Sequence, residues 1–317
     1  MGVVERSLIL RSTRFITEGA VLLAIYSVLL LMLTYVPVLS LILTYLMPLP
    51  FIIFSLKYSV KESLILCCVA IGLTIIITSA TMIPGTLMFS TVGVALGYLL
   101  KNGRSKGEIL LTSTFLYLLH IVLIYLLAKT IFNIDIVKDM TSSMTAGIEK
   151  SKEMYSSLGV DVNQKSLDSL IAVIKLIPTL LPTLFLMVSF VIAFLTQLIT
   201  FPLVRRFGFK TPKFKPFREF RLPVGFMWFF LIVMILSFFQ LKQDSFLYTA
   251  VFNLTYVLQV LLIVQGFASI FYFSHLKKFS KAVPIIALIA SLIIQPLIYI
   301  VLLIGIVSIG IFNRSKK

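Results

Sequence analysis

Long apolar stretches recur from one end of this chain to the other, and they restrict its fold more than any other feature. They run to roughly 16–30 residues, enough to carry a helix across about 30 Å of hydrocarbon at 1.5 Å per residue. Backbone N–H and C=O groups find no water at that depth, so each stretch must close its own hydrogen bonds as a helix. The strict in–out alternation of a transmembrane barrel does not run through these stretches. Composition agrees: 59% of the 317 residues are hydrophobic and 13% are charged, where a water-soluble domain carries about 25% charged residues. The chain is therefore expected to be all-α, a polytopic transmembrane helical bundle forming one integral membrane domain over residues 1–317.

The stretches fall at 16–36, 38–56, 63–83, 85–100, 108–128, 169–201, 222–241, 246–273 and 282–312. The first eight read as spans. The last would be about 46 Å long as one helix, and Gln295–Pro296 sits near its middle. Proline removes a backbone donor and crowds the preceding turn, so this segment is either two short limbs that fold back or one tilted span. Lys57, Lys61, Lys101, Arg104 and Lys106 mark two tight inner connections, and Pro37 and Pro84–Gly85 mark two tight outer turns. The basic start (Arg6, Arg11, Arg14) leads into an apolar run without a small-residue cleavage pattern after it. The first helix is thus expected to remain as an anchor.

The net charge of +16 is carried at helix ends and in short connections rather than along one face. That placement suggests anionic lipid headgroups as partners and not nucleic acid. With the N-terminus inside, the outer connections hold Lys129, Lys138, Lys150, Lys152, Lys165, Lys175 and Lys242. The other basic residues fall inside, including the cluster Arg205, Arg206, Lys210, Lys213, Lys215, Arg218 and Arg221, relieved by Glu219. The positive-inside rule then places the N-terminus and the basic 202–221 connection in the cytoplasm. The tail Arg314, Lys316, Lys317 joins them if the final segment folds back.

Residues 129–168 differ from the rest. They hold Asp135, Asp139, Glu149, Glu153, Asp161 and Asp168, half of the chain's 12 acidic residues. Ile136, Met140, Met144, Ile148 and Tyr155 recur there at near-helical spacing. An amphipathic helix lying on, or capping, the outer face fits this pattern. A solvated connector with a weakly apolar face fits it equally.

Catalytic signatures are missing from the sequence: no His-Glu-x-x-His, no Gly-x-Ser-x-Gly and no Gly-x-x-x-x-Gly-Lys occurs. No enzyme, cofactor or metal site is expected, and ATP hydrolysis would fall to a partner. Cys67 and Cys68 are neighbours, so on a helix they point to different faces and read as small packing residues. Polar groups in apolar segments are candidates because they are expensive there. Glu18 is placed to reach water or pair with Arg14 at i−4. His120, roughly 18 Å into the fifth span, either binds a ligand or bonds a neighbouring carbonyl or hydroxyl. Asn253, Gln259 and Gln265 follow at steps of six, about 240° apart, which favours interhelical bonds over a single polar channel. Pro178 and Pro182, at i and i+4, free the carbonyls of Ile174 and Pro178 and are expected to kink the sixth span beside a substrate-binding cavity. Ala20-x-x-x-Ala24 and Gly93-x-x-x-Gly97 permit close helix approach.

Two stretches carry a family likeness. One is Arg205-Arg206-Phe207-Gly208 followed by Pro216-Phe217-Arg218-Glu219-Phe220-Arg221-Leu222-Pro223. The other is Arg14-Phe15-Ile16-Thr17-Glu18-Gly19-Ala20, leading to Tyr35-Val36-Pro37. With Gln265-Gly266, they resemble the YybS family of bacterial inner-membrane proteins over nearly the whole chain. That resemblance implies a multi-pass protein of the bacterial cell membrane and leaves its activity open. The first four or five spans also resemble, more distantly, the substrate-binding S components of energy-coupling-factor transporters. In those proteins an Ala-x-x-x-Ala on the first helix contacts the coupling subunit, a role that falls on Ala20 and Ala24 here. Gly93-Val94-Ala95-Leu96-Gly97 is similar to their small-residue fourth helix. S components have about six spans, and this chain adds an outer segment, a basic loop and further helices. The resemblance implies a small-molecule-binding transporter subunit working with a membrane coupling subunit and ATPases. The other reading is a non-transporting scaffold or assembly factor for cell-envelope proteins.

Overall fold

The computed structural model describes residues 3–158, 164–213, 215–239, 241–242 and 245–314. Asp161 of the outer segment and Lys316 and Lys317 of the tail lie outside them. Among the described residues every regular element is a helix. Seven helices or helix pairs among the described residues are long and apolar enough to cross a membrane, so the protein is a helical membrane bundle. It divides into two compact units: Met1–Ile136 with Phe185–Lys213, and Val137–Leu184 with Phe214–Lys317.

Unit 1 contains α1 (Val3–Tyr35), α2 (Pro37–Leu46), α3 (Leu49–Lys57), α4 (Val60–Ile77), α5 (Ile83–Lys101), α6 (Lys106–Thr130) and most of α9 (Leu181–Arg206). The chain signals its own boundaries. Ser59 with Glu62 and Ser105 with Glu108 form capping boxes that satisfy the first N–H groups of α4 and α6. Gly103 and Gly208, at φ 64° and 89°, take the left-handed conformation that closes α5 and α9. Pro84–Gly85 is not an outer turn, as the sequence suggested. The turn lies at Thr78–Met82, and Pro84 stands in the first turn of α5, where a missing N–H costs nothing.

The core of unit 1 is built on Tyr26, Met47, Phe51, Phe54, Leu96, Ile109 and Tyr117, all fully buried. In lipid the hydrophobic effect does not press helices together, so close backbone approach must do so. Gly93 and Gly97 allow it. A Cβ on Gly93 would stand 2.6 Å from the Pro48 carbonyl oxygen, and one on Gly97 2.6 Å from that of Ile52.

Unit 2 contains α7 (Ile136–Ser157), α8 (Gln164–Leu176), α10 (Gly225–Ser237), α11 (Phe246–Leu276), α12 (Ala282–Ile293) and α13 (Gln295–Arg314). Its core gathers Phe230, Val233, Val251, Leu258, Leu262 and Ile309. Here too glycine sets the crossing: Gly266 lies against the Val301 carbonyl and Gly305 against that of Leu262. The amphipathic helix expected within 129–168 is α7, and none of its residues is buried.

Two spans differ from expectation. The 222–241 stretch forms only the 13-residue α10, about 20 Å long, because Pro223 delays its start. The 169–201 stretch is two helices, α8 and α9, separated at Ile177–Leu180. The 282–312 stretch forms two helices, one of the two readings its Gln295–Pro296 break allowed. Ile294 still donates to Ala290 O at 2.8 Å, but Pro296 has no N–H, and bonding resumes from Leu297 to Ile294 O at 2.9 Å.

Candidate functional site

At the lysine-bearing ends of its helices, unit 1 closes a small charged cluster. Glu18 accepts from Lys57 Nζ at 2.9 Å and from the Tyr58 hydroxyl at 3.2 Å, so its partner is Lys57 and not Arg14. Lys57 arrives there because α3 ends at it. Phe15 and Phe54 pack on the Tyr58 ring, and Lys101 Nζ donates to the Tyr58 carbonyl at 2.9 Å. Burial, reinforced by the bond to the Glu18 carboxylate, raises the Tyr58 phenol above its ordinary value.

Deeper in unit 1 the polar groups pair across helices. Tyr26, Thr74 and Thr86 join α1, α4 and α5 through hydroxyl bonds of 2.7 to 3.3 Å. His120 is 7% exposed, with Nδ1 2.8 Å from Leu116 O and Nε2 3.1 Å from Thr91 Oγ1. A carbonyl can only accept, so Nδ1 carries the proton, and both ring nitrogens are engaged within the protein. Ser113 and Tyr117 of α6 meet Gln197 and Thr196 of α9 at 2.9 and 3.1 Å. The helical spacing of Ser189, Ala193, Gln197 and Thr200 in α9, at steps of four and three, was the available signal for this pairing, and sequence reasoning passed over it.

In unit 2 the two prolines break the 169–201 stretch. They separate amphipathic α8 from apolar α9 as an elbow. Ile174 O takes the Ile177 N–H at 3.1 Å, and Pro178 O takes the Leu181 N–H at 3.4 Å, so neither carbonyl is left free. Pro182 stands in the first turn of α9, where proline is tolerated. Asn253 of α11 holds the elbow. Its Nδ2 donates to Thr179 O at 2.7 Å, and its Oδ1 accepts from the Thr183 N–H at 3.0 Å and the Thr183 hydroxyl at 2.7 Å. Asn253 was expected to make an interhelical bond, but its position opposite the two prolines was not foreseen.

Of the residues that carry the family likeness, the Phe217–Leu222 stretch and Gln265 meet in unit 2. Gln265 Oε1 accepts from the Leu222 N–H at 2.9 Å, and its Nε2 donates to Ser308 of α13 at 3.2 Å. Phe217 meets Phe271 edge to face at 5.6 Å, and the Arg221 guanidinium lies 5.5 Å from the Tyr272 ring centre. The Phe217–Leu222 turn is therefore strapped to α11. An apolar groove of about 240 Å³ runs along α11 and α13 between Phe273, Ile300 and Val307.

The remaining candidates are surface or packing positions. Ala20 and Ala24 are exposed on α1, whereas Gly93 and Gly97 are buried in the α3–α5 contact. The basic connection divides: Arg205, Arg206, Lys210 and Lys213 belong to unit 1, and Lys215, Arg218 and Arg221 to unit 2. Among the described residues, every buried polar side chain is a hydroxyl, an amide or the His120 imidazole. Such groups recognise by hydrogen bonds rather than by charge.

The comparisons with known proteins agree with a membrane protein. The chain is similar to the uncharacterized protein YybS of Bacillus subtilis (strain 168), at 27% identity over 308 residues, covering 97% of this chain and 99% of that one. No solved structure matches. The family model described as "Predicted membrane protein (DUF2232)" matches residues 24–308, and the chain accordingly belongs to this family of multi-pass membrane proteins.

Proposed function

We propose that this protein is a non-catalytic, small-molecule-binding membrane subunit that resembles an energy-coupling-factor S component and docks on a separate coupling protein through α1. One observation carries the reading. Six of the seven candidate spans fall within unit 1 or end in it. The first of them turns Ala20 and Ala24 outward while the glycine-bearing α5 is packed inside. The features that departed from a six-span S component (the outer segment, the later part of the basic loop and the extra helices) belong to unit 2. In this reading the protein sits in the bacterial cell membrane with its N-terminus and basic connections in the cytoplasm, against anionic lipids, and the ATPases are partners.

The test is tagged purification from native membranes in mild detergent, with mass spectrometry of the co-purifying proteins. Recovery of a membrane coupling subunit with paired ATPases supports the reading. Recovery of envelope-synthesis proteins without ATPases rejects it in favour of an assembly factor, a reading favoured by the exposed Arg205, Arg206, Lys210 and Lys213.

A further inference from the structure

Along α9, Ser189, Ala193, Thr196, Gln197, Thr200 and Val204 are fully buried within unit 1. Most of these positions are polar, where an ordinary helix contact at membrane depth would be served by leucine or alanine. Ser113 and Tyr117 of α6 face them. The Gln197 amide is the centre of this seam. Its Nε2 donates to Ser113 Oγ at 2.9 Å, and the Ser113 proton goes to Leu110 O at 3.0 Å. Gln197 Oε1 is buried and meets no donor. Turning the amide over does not repair this. Ser113 has one proton, already directed at Leu110 O, so the exchange leaves Nε2 stranded in place of Oε1. The buried Thr114 hydroxyl, on the same turn of α6 as Ser113, is also without a partner. Thr74, Thr130 and Thr200 bond the carbonyl four residues before them; Thr114 does not.

An amide oxygen at this depth without a donor is costly, and a buried polar group of this kind is commonly completed by a small bound molecule. Charge narrows what that molecule is. Between Glu108 and Lys129, α6 carries no carboxylate, lysine or arginine, and α9 carries none before Arg205. The one imidazole on these two helices, His120, has both nitrogens engaged. A metal ion or an anion would find no counter-charge. We propose that the α6–α9 seam is a binding site for an uncharged hydrogen-bond donor, seated on Gln197 Oε1: a water molecule or a small hydroxyl- or amide-bearing solute. The site is roughly 10 Å from the start of α6. It involves α6 and α9 rather than the docking face of α1, so it does not depend on the partner reading.

The experiment uses the full chain in lipid nanodiscs, with a structure determined at a resolution that reveals ordered water and with thermal unfolding of the wild type and Gln197→Met. The expected result is a density peak within hydrogen-bond reach of Gln197 Oε1, and a Tm about 3 °C lower for Gln197→Met. Glycerol, urea and acetamide serve as probes. A saturable rise in Tm that Gln197→Met abolishes identifies an organic solute. No response to any probe, with the peak retained, identifies water. An empty Oε1 in the wild type overturns the proposal whatever the variant does, and the wild-type peak also decides the matter if the variant does not fold.

Discussion

Asn253 and Thr183, 70 positions apart in the sequence, share three hydrogen bonds: the Thr183 N–H and hydroxyl both reach Asn253 Oδ1, and the hydroxyl also lies 3.1 Å from the Asn253 carbonyl. The bonds fall where Pro178 and Pro182 interrupt the helix, so one amide serves the Thr179 carbonyl and the Thr183 N–H, an i, i+4 pair left open at the break. Asn253→Leu leaves the Thr179 carbonyl and the Thr183 N–H unpaired and should destabilise by about 2 kcal/mol. Asn253→Asp keeps the acceptor and should cost less. Thermal unfolding in nanodiscs checks the order; equal losses would show that Oδ1 does not hold the elbow.

Gly97→Val should be severe, because the new side chain meets the Ile52 carbonyl and the Ser55 Cβ. Overpacking of this kind costs about 1–3 kcal/mol. Gly72→Ala is the matched control, since an added methyl group there would meet nothing within 4 Å, and alanine is the better helix former. Its Tm should equal or exceed that of the wild type.

Gln265→Leu should release the Phe217–Leu222 strap without unfolding α11. The Leu222 N–H loses its acceptor and Ser308 loses a donor, a cost of about 1–2 kcal/mol. Hydrogen exchange read by mass spectrometry should quicken at Leu222 and the preceding turn. Unchanged protection there would mean that Phe217 on Phe271 suffices to hold the strap.

Ala20→Trp with Ala24→Trp places two large rings on an exposed face of α1. Stability should change by less than about 0.5 kcal/mol, as at other surface positions, while co-purification of the coupling partner is lost. Retained association at normal Tm would remove α1 as the docking face.

Glu18→Gln removes the charge that pairs with Lys57, whose side chain is 39% exposed against 35% for Glu18. Water screens such a pair, so the loss should stay below about 1 kcal/mol and shrink further in high salt. A loss independent of salt would assign the stability to the Tyr58 hydrogen bond instead.

The membrane class was legible because hydropathy is a local property, readable one stretch at a time. The break between α8 and α9 was harder to place because Leu176, Ile177, Leu180 and Leu181 keep the apolar run unbroken across it. Only the two prolines mark the break, and their partner Asn253 is far along the chain. Gln197 and Ser113 are 84 residues apart, and the order in which their helices pack is not written in either segment. The final segment was the easier case, since Gln295–Pro296 marks its own break. The division into two units was least visible, because α9 returns to unit 1 after α7 and α8 have joined unit 2.

Gly93, Gly97, Gly266 and Gly305 do the same thing in both units: each brings a helix onto a neighbour's bare carbonyl. Oil surrounding such a bundle rewards no particular residue on its outer face, so Leu, Ile, Val and Phe should interchange there with little consequence over long evolutionary times. The four glycines have no such freedom, because even one methyl group would need the room a backbone already occupies. Lineages of this protein should therefore drift widely over their lipid-facing skin while these few atom-sized absences stay fixed.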